Sequence, residues 1–184
     1  MLLIKITTPL NDNIISKLKA GDKVLLSGVV YTARDAAHAR LVDLIKKGEK
    51  LPIDLDGQVI YYVGPTPAPS GRVIGSAGPT TSGRMDSFTP ALLEAGLKAT
   101  IGKGERNKAV IDSMVKNKAV YFAATGGAAA LLADRIKSCG VVAYEDLGCE
   151  AIHKLVVEDL PLIVINDIYG RDFYIENRKK YSTI

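Results

Sequence analysis

An α/β domain in which strands and helices alternate is the fold class this sequence predicts, and three observations predict it. Short β-branched, apolar runs recur along the chain, as in KVLLSGVVYT over Lys23 to Thr32. Between them lie segments with apolar residues at helical spacing, such as Ala37, Leu41, Leu44 and Ile45 at i, i+4, i+7 and i+8. The third is composition: 184 residues, 47% hydrophobic and 24% charged, suit one domain over residues 1–184. A chain of this length buries about 70% of its unfolded surface. Aromatics make up 6% and tryptophan is absent, so the core must be aliphatic.

In chain order, Leu2 to Thr8 alternates as a strand, and Asn11 to Leu18 predicts a short helix ending before Gly21. Lys23 to Thr32 is a buried strand by composition. The helix after it stops at Gly48 and places Arg34, Asp35 and His38 in or just before its first turn. Asp35 suits the positive end of the helix dipole, whereas Arg34 stands against it. Arg34 is therefore either a solvated side chain or one directed elsewhere. Gln58 to Val63 and Arg72 to Ala77 read as strands. Asp86 is placed to cap a helix through Glu94 or Ala95, with Pro90 in the first turn and Gly96 as terminator. Lys98 to Ile101 is a brief strand. Gly102-Lys103-Gly104 then turns into a helix carrying Val110, Ile111, Met114 and Val115 on one face. Lys118 to Ala123 is a strand, followed by an alanine-rich helix to about Lys137 that is apolar nearly all round and expected to be buried. Strands near Gly140 to Tyr144 and Pro161 to Asn166 precede a polar surface tail from Arg171. Strands at both ends of an alternating middle predict a layered arrangement.

The most informative stretch runs from Gly64 to Lys103. Eight of the seventeen glycines fall between Gly64 and Gly104, and four of the eight prolines between Pro65 and Pro79. At its centre Gly78-Pro79-Thr80-Thr81-Ser82-Gly83-Arg84 sets three hydroxyls and a guanidinium on a glycine-flanked turn. Such a turn can aim backbone N–H groups and a planar cationic fork at a small anion. Lys103, between two glycines at an expected helix start, is a second anion hook. The G-x-x-x-x-G-K-[ST] spacing of a P-loop is missing.

Net charge is +4, which suits an anionic ligand, but the cations are dispersed except for Arg178-Lys179-Lys180. With so few aromatics, stacking on single-stranded nucleic acid is disfavoured. Two histidines exclude a multi-histidine metal site within one chain. Cys139 and Cys149, ten residues apart, fit neither a metal knuckle nor a secreted disulfide framework. The N-terminus reads as a strand rather than a signal peptide, and no apolar run approaches a membrane span. A cytoplasmic protein with reduced thiols is expected.

The segments YTARDAAHAR (31–40), GSAGPTTSGRMD (75–86), IGKGER (101–106), YFAATGGAAAL (121–131) and VAYEDLGCEAIHKL (142–155) resemble the β subunit of class I fumarate hydratase. The tartrate dehydratase β subunit is similar in the same segments. The resemblance covers essentially the whole chain. It implies a compact β/β/α "swivelling" domain and a hydro-lyase that reversibly hydrates fumarate to malate. It further implies a [4Fe-4S] cluster held by cysteines of a separate α subunit, since neither cysteine here lies in a ligand-like motif. By the same resemblance, Arg34 and Arg84 hold substrate carboxylates, Lys103 adds positive charge, and Thr80 supplies a catalytic or positioning hydroxyl. Asp35, His38 and Asp86 would orient them, or serve as helix-capping acids and a packed histidine. The implied assembly is a hetero-oligomer with the α subunit, or a homodimer when isolated, binding a small dicarboxylate, with no nucleic acid and no membrane. A tartrate dehydratase β subunit and a non-catalytic anion-binding module are the alternatives.

Overall fold

The computed structural model describes residues 3–182. Its strands are β1 (Leu3–Thr7), β2 (Lys23–Thr32), β3 (Val59–Tyr61), β4 (Ala99–Gly102), β5 (Val120–Ala123), β6 (Ile136–Ala143) and β7 (Ile152–Asn166). The helices are α1 (Asp12–Ile15), α2 (Asp35–Lys47), α3 (Thr89–Glu94), α4 (Lys108–Asn117), α5 (Ala129–Ala133) and α6 (Phe173–Tyr181). Each predicted strand up to β5 is found within a few residues, except Arg72 to Ala77; Leu2 lies outside the described residues.

Strands β1 to β5 pair in parallel, and β7 returns antiparallel to both β5 and β2. The α/β class stands, but the sheet closes on itself instead of lying in open layers. β2, β3, β4, β5 and β7 form a five-stranded ring, while β1 and β6 extend it from β2 and β7. Closure depends on two long strands. β2 offers one edge first to β1 and then to β3, and β7 spans fifteen residues to serve β6, β2 and β5. The sequence had predicted only the last six residues of β7, because Glu158, Asp159 and Pro161 interrupt its apolar pattern. The register with β2 slips there, between Leu26 and Gly28, so the strand turns a corner without ending.

Alternation along the strands divides the interior in two. Val24, Leu26, Val59, Tyr61, Ala99, Ile101, Val120, Phe122, Leu160, Leu162 and Val164 share one apolar cluster. Their neighbours Ile60, Tyr62, Tyr121 and Ile165 face a second, with Ala37 and Leu41 of α2, Leu92 and Leu93 of α3, and Val110 and Met114 of α4. Helical periodicity was a sound guide for α2 and α4, and Gly48 ends α2 as expected.

Four local expectations fail for identifiable reasons. Residues 72–77 make no ladder; Thr66 Oγ1 and the Thr66 backbone bond Gly75 and Ser76 and fold the segment into a loop. The alanine-rich helix is a five-residue stub with Leu131 70% exposed, because β6 begins at Ile136. Helix α1 spans one turn instead of reaching Leu18, whereas the polar tail lies at the surface as expected, coiled into α6. Asp86 does not cap α3, whose first residue is Thr89; it pairs elsewhere, as described below.

Candidate active site at the ends of the parallel strands

The C-terminal ends of β2, β3, β4 and β5 lie side by side, the edge where open α/β sheets collect their ligand-binding loops. Arg34 follows β2, and Lys103 follows β4. The loop after β3 brings Thr80 and Arg84 back to the same edge. The Thr80 amide donates to the Tyr62 carbonyl at 2.7 Å, and the Lys103 amide to the Thr80 carbonyl at 3.2 Å. The Ser82 amide donates to the Lys103 carbonyl at 2.8 Å, so Thr81 and Lys103 form an isolated parallel bridge. Lys103 is thus fixed at the end of a strand and not at a helix N-terminus; α4 begins only at Lys108, capped by Asn107.

This join leaves little space. A Cβ at Gly102 would collide with Ser82 Oγ, which is hydrogen-bonded to Tyr121 Oη at 2.9 Å. Tyr121 Oη also reaches the Gly104 carbonyl at 2.9 Å. The phenol therefore pins both glycine-flanked turns from below, and burial raises its pKa. Neither Thr80 Oγ1 nor Lys103 Nζ has a hydrogen-bond or ion-pair partner among the described residues.

Each arginine is paired with a carboxylate far from it in sequence. Arg84 Nε donates to Asp35 Oδ1 at 3.1 Å, and Arg84 Nη2 lies 2.7 Å from Oδ2. Arg34 Nη2 lies 3.2 Å from Glu150 Oε1. His38 is fully buried; its Nδ1 donates to the Arg34 carbonyl at 2.8 Å, which assigns the tautomer and leaves Nε2 without a partner. Burial holds its pKa down to about 4, against the opposing hydrogen bond to Arg34. The imidazole packs edge-on against Tyr62 and beside Phe88. Structure thus brings Arg34, Asp35, His38, Thr80, Arg84 and Lys103 to one edge.

Asp86 is connected to that edge through the fold interior. It receives Arg106 Nε at 2.7 Å on Oδ1 and the Asn107 amide at 2.7 Å on Oδ2. Arg106 is buried between the Tyr62 and Tyr121 rings and also donates to Thr89 and Thr100. Sequence reasoning missed Arg106, although it lies within IGKGER, and missed Glu150, 114 residues from the Ala36 amide that it contacts.

Among the described residues, no three His, Cys, Asp or Glu side chains are grouped to hold a metal ion. Both cysteines are free and line a cleft of about 410 Å³ with Pro65, Ile74 and His153. This donor set does not fit an iron–sulfur cluster. No helix among the described residues is long and apolar enough to cross a membrane.

The closed α/β ring therefore presents a cationic, hydroxyl-bearing edge. The family described as "Fumarase C-terminus" matches residues 2–177, and the chain belongs to that family. It is 41% identical over 162 residues to "Fumarate hydratase class I, anaerobic" of Escherichia coli (strain K12), covering 87% of this chain and 30% of that protein. It is equally 41% identical over 162 residues to "Fumarate hydratase 2" of Leishmania major, with 87% and 28% covered. It is 40% identical over 177 residues to "Putative L(+)-tartrate dehydratase subunit beta" of Methanocaldococcus jannaschii, with 92% and 91% covered. The chain thus spans under a third of these two fumarate hydratases, and nearly all of a protein named as a β subunit.

Proposed function

We propose that this chain is the β subunit of a hydro-lyase that reversibly hydrates fumarate to malate in the cytoplasm, contributing half of a site completed by an α subunit. The observation that carries this reading is the edge itself. Two arginines, a lysine and a threonine converge there, yet Arg84 and Lys103 stand exposed. Water addition next to a carboxylate needs a site closed to bulk solvent, so a second surface must cover these groups. Near full-length similarity to a protein named as a β subunit supports the same division. In this reading residues 1–184 form one domain, and the ring with its flanking helices is the β/β/α swivelling domain of the family.

Arg34 and Arg84 would hold the two carboxylates of the substrate, each through its guanidinium fork. In the malate-to-fumarate direction, hydroxide leaves C2 and a proton leaves C3. The electron pair from the C3–H bond is delocalised into the adjacent carboxylate, where Lys103 stabilises the growing charge. The Thr80 hydroxyl stands to receive or position the C3 proton. As a threonine is a weak base unaided, its neighbours must assist it. A [4Fe-4S] cluster, which these residues do not fit, would be held by the α subunit and would supply a Lewis acid for substrate oxygens.

Co-expression with a cysteine-bearing α-type chain under anaerobic conditions, with assays on fumarate, malate and tartrate, tests the reading. Interconversion of fumarate and malate is expected. Turnover of tartrate alone would replace the substrate, and a stable but inert complex would leave a non-catalytic anion-binding module.

A further inference from the structure

Helix α2 begins with an electrostatic conflict that the rest of the chain resolves. Arg34 is its N-cap, and no side chain of the helix caps it. A cation there opposes the helix dipole and leaves the first amides unpaired. Glu150, at the end of the 3-10 segment Glu145–Glu150, answers both problems with one carboxylate. Its Oε2 accepts the Ala36 amide at 3.2 Å, and its Oε1 lies 3.2 Å from Arg34 Nη2. The two side chains are only 20% and 24% exposed, so the pair is shielded from solvent.

The rest of the Arg34 pocket is equally specific. A Cβ at Gly64 would come within 2.6 Å of Arg34 Nη1 and 3.2 Å of the Cys149 carbonyl, so a larger residue there would push the guanidinium from this position. His38 Nδ1 grips the Arg34 carbonyl at 2.8 Å. Glu150 engages one corner of the fork, and the buried Arg34 Nε has no hydrogen-bond partner among the described residues. With Nε enclosed and Nη2 facing Glu150, the Nη1 donors are left for a second carboxylate.

We propose that Glu150 is a positioning residue: it fixes the Arg34 guanidinium against Gly64 and aims its remaining donors at a substrate carboxylate. The proposal rests on the reading of Arg34 as a carboxylate-binding group. Asp35 does the same for Arg84, so each arginine is held by a carboxylate on another part of the chain.

The test uses Glu150→Gln, whose amide oxygen can still accept the Ala36 amide while the charge facing Arg34 is lost. In nitrogen-15 NMR of the isolated chain, with Arg34 signals assigned through Arg34→Lys, the wild-type Arg34 guanidinium should give resolved, slowly rotating Nη groups. In Glu150→Gln these should average while the Arg84 signals stay unchanged; an unaltered Arg34 spectrum overturns the proposal. In the assembled enzyme, Glu150→Gln should raise KM for malate and fumarate about tenfold, equivalent to about 1.4 kcal/mol, with kcat changed far less. The same substitution in an Arg34→Ala background should add nothing, because Glu150 acts through Arg34. A full additional effect there overturns the proposal, as does a fall in KM, which would make Glu150 a competitor of the substrate. If Arg34→Ala raises KM and Glu150→Gln does not, the proposal alone fails. If Arg34→Ala leaves KM unchanged, the reading of Arg34 fails with it.

Discussion

Arg84 meets Asp35 through Nε and Nη2, one side of its planar fork, and Nη1 remains at the exposed end. A lysine could match the charge but not this geometry, since an ammonium has no fork to share between two carboxylates. The free side chains on the same edge can be separated by kinetics. Thr80→Ala should lower kcat with little change in KM, because the hydroxyl matters when the C3 proton moves. Lys103→Ala should raise KM and lower kcat together, because substrate and transition state both feel its charge. Steady-state rates in both directions check this, and a Thr80→Ala effect confined to KM would make the hydroxyl a binding group. His38 makes a separate prediction. Its unfolded imidazole takes up a proton near 6.5 and the buried one only near 4, so the unfolded chain binds more protons between those values. Stability should therefore fall as pH drops through that window, by at most roughly 3 kcal/mol. Arg106 opposes and Asp35 favours protonation of His38. His38→Gln should flatten the pH dependence of the urea midpoint; an unchanged slope would contradict the buried neutral imidazole. The turns that bring Thr80, Arg84 and Lys103 to one edge were legible because they carry their own glycine chemistry. Glu150 was not, because nothing local marks an acid that caps a helix 114 residues away.

Among the elements, those built from short-range pattern were readable. β2 is found over the predicted residues, and Asn107 caps α4 by accepting the Val110 amide at 2.9 Å. What failed was decided by distant partners. Asp86 has the residue type and position of a helix cap, yet its carboxylate serves the buried Arg106. The alanine-rich segment after β5 has helix propensity over more than its observed length, but pairing of β6 with β7 claims its end from Ile136 onward. Asp86→Ala would leave the Arg106 guanidinium, with no side-chain exposure, facing Tyr62 and Tyr121 without its counter-ion. The expected cost is about 3–5 kcal/mol. Urea denaturation checks it, and a loss below about 1 kcal/mol would show that the network tolerates an unpaired charge. Because the Asn107 amide also loses its acceptor, the entry to α4 should fray first, which hydrogen exchange at residues 107–110 reads directly.

At the scale of the whole molecule, the ring delivers its polar groups to one open edge and encloses its apolar groups. The α/β class was legible from alternation, whereas closure of the ring was not, because it depends on which strand β7 returns to. In the proposed function this chain contributes the cationic groups, and a separate α chain would hold the cluster. Titrating this chain into a purified, anaerobically reconstituted α chain, and following hydration of fumarate, tests that division most directly. Activity should be absent from this chain alone, rise to saturation at equal amounts of the two chains, and fall on the order of a hundredfold in kcat/KM with Arg84→Lys at unchanged stoichiometry. Hydratase activity from this chain by itself, or a saturating complex in which Arg84→Lys is as active as the unaltered chain, would contradict the account.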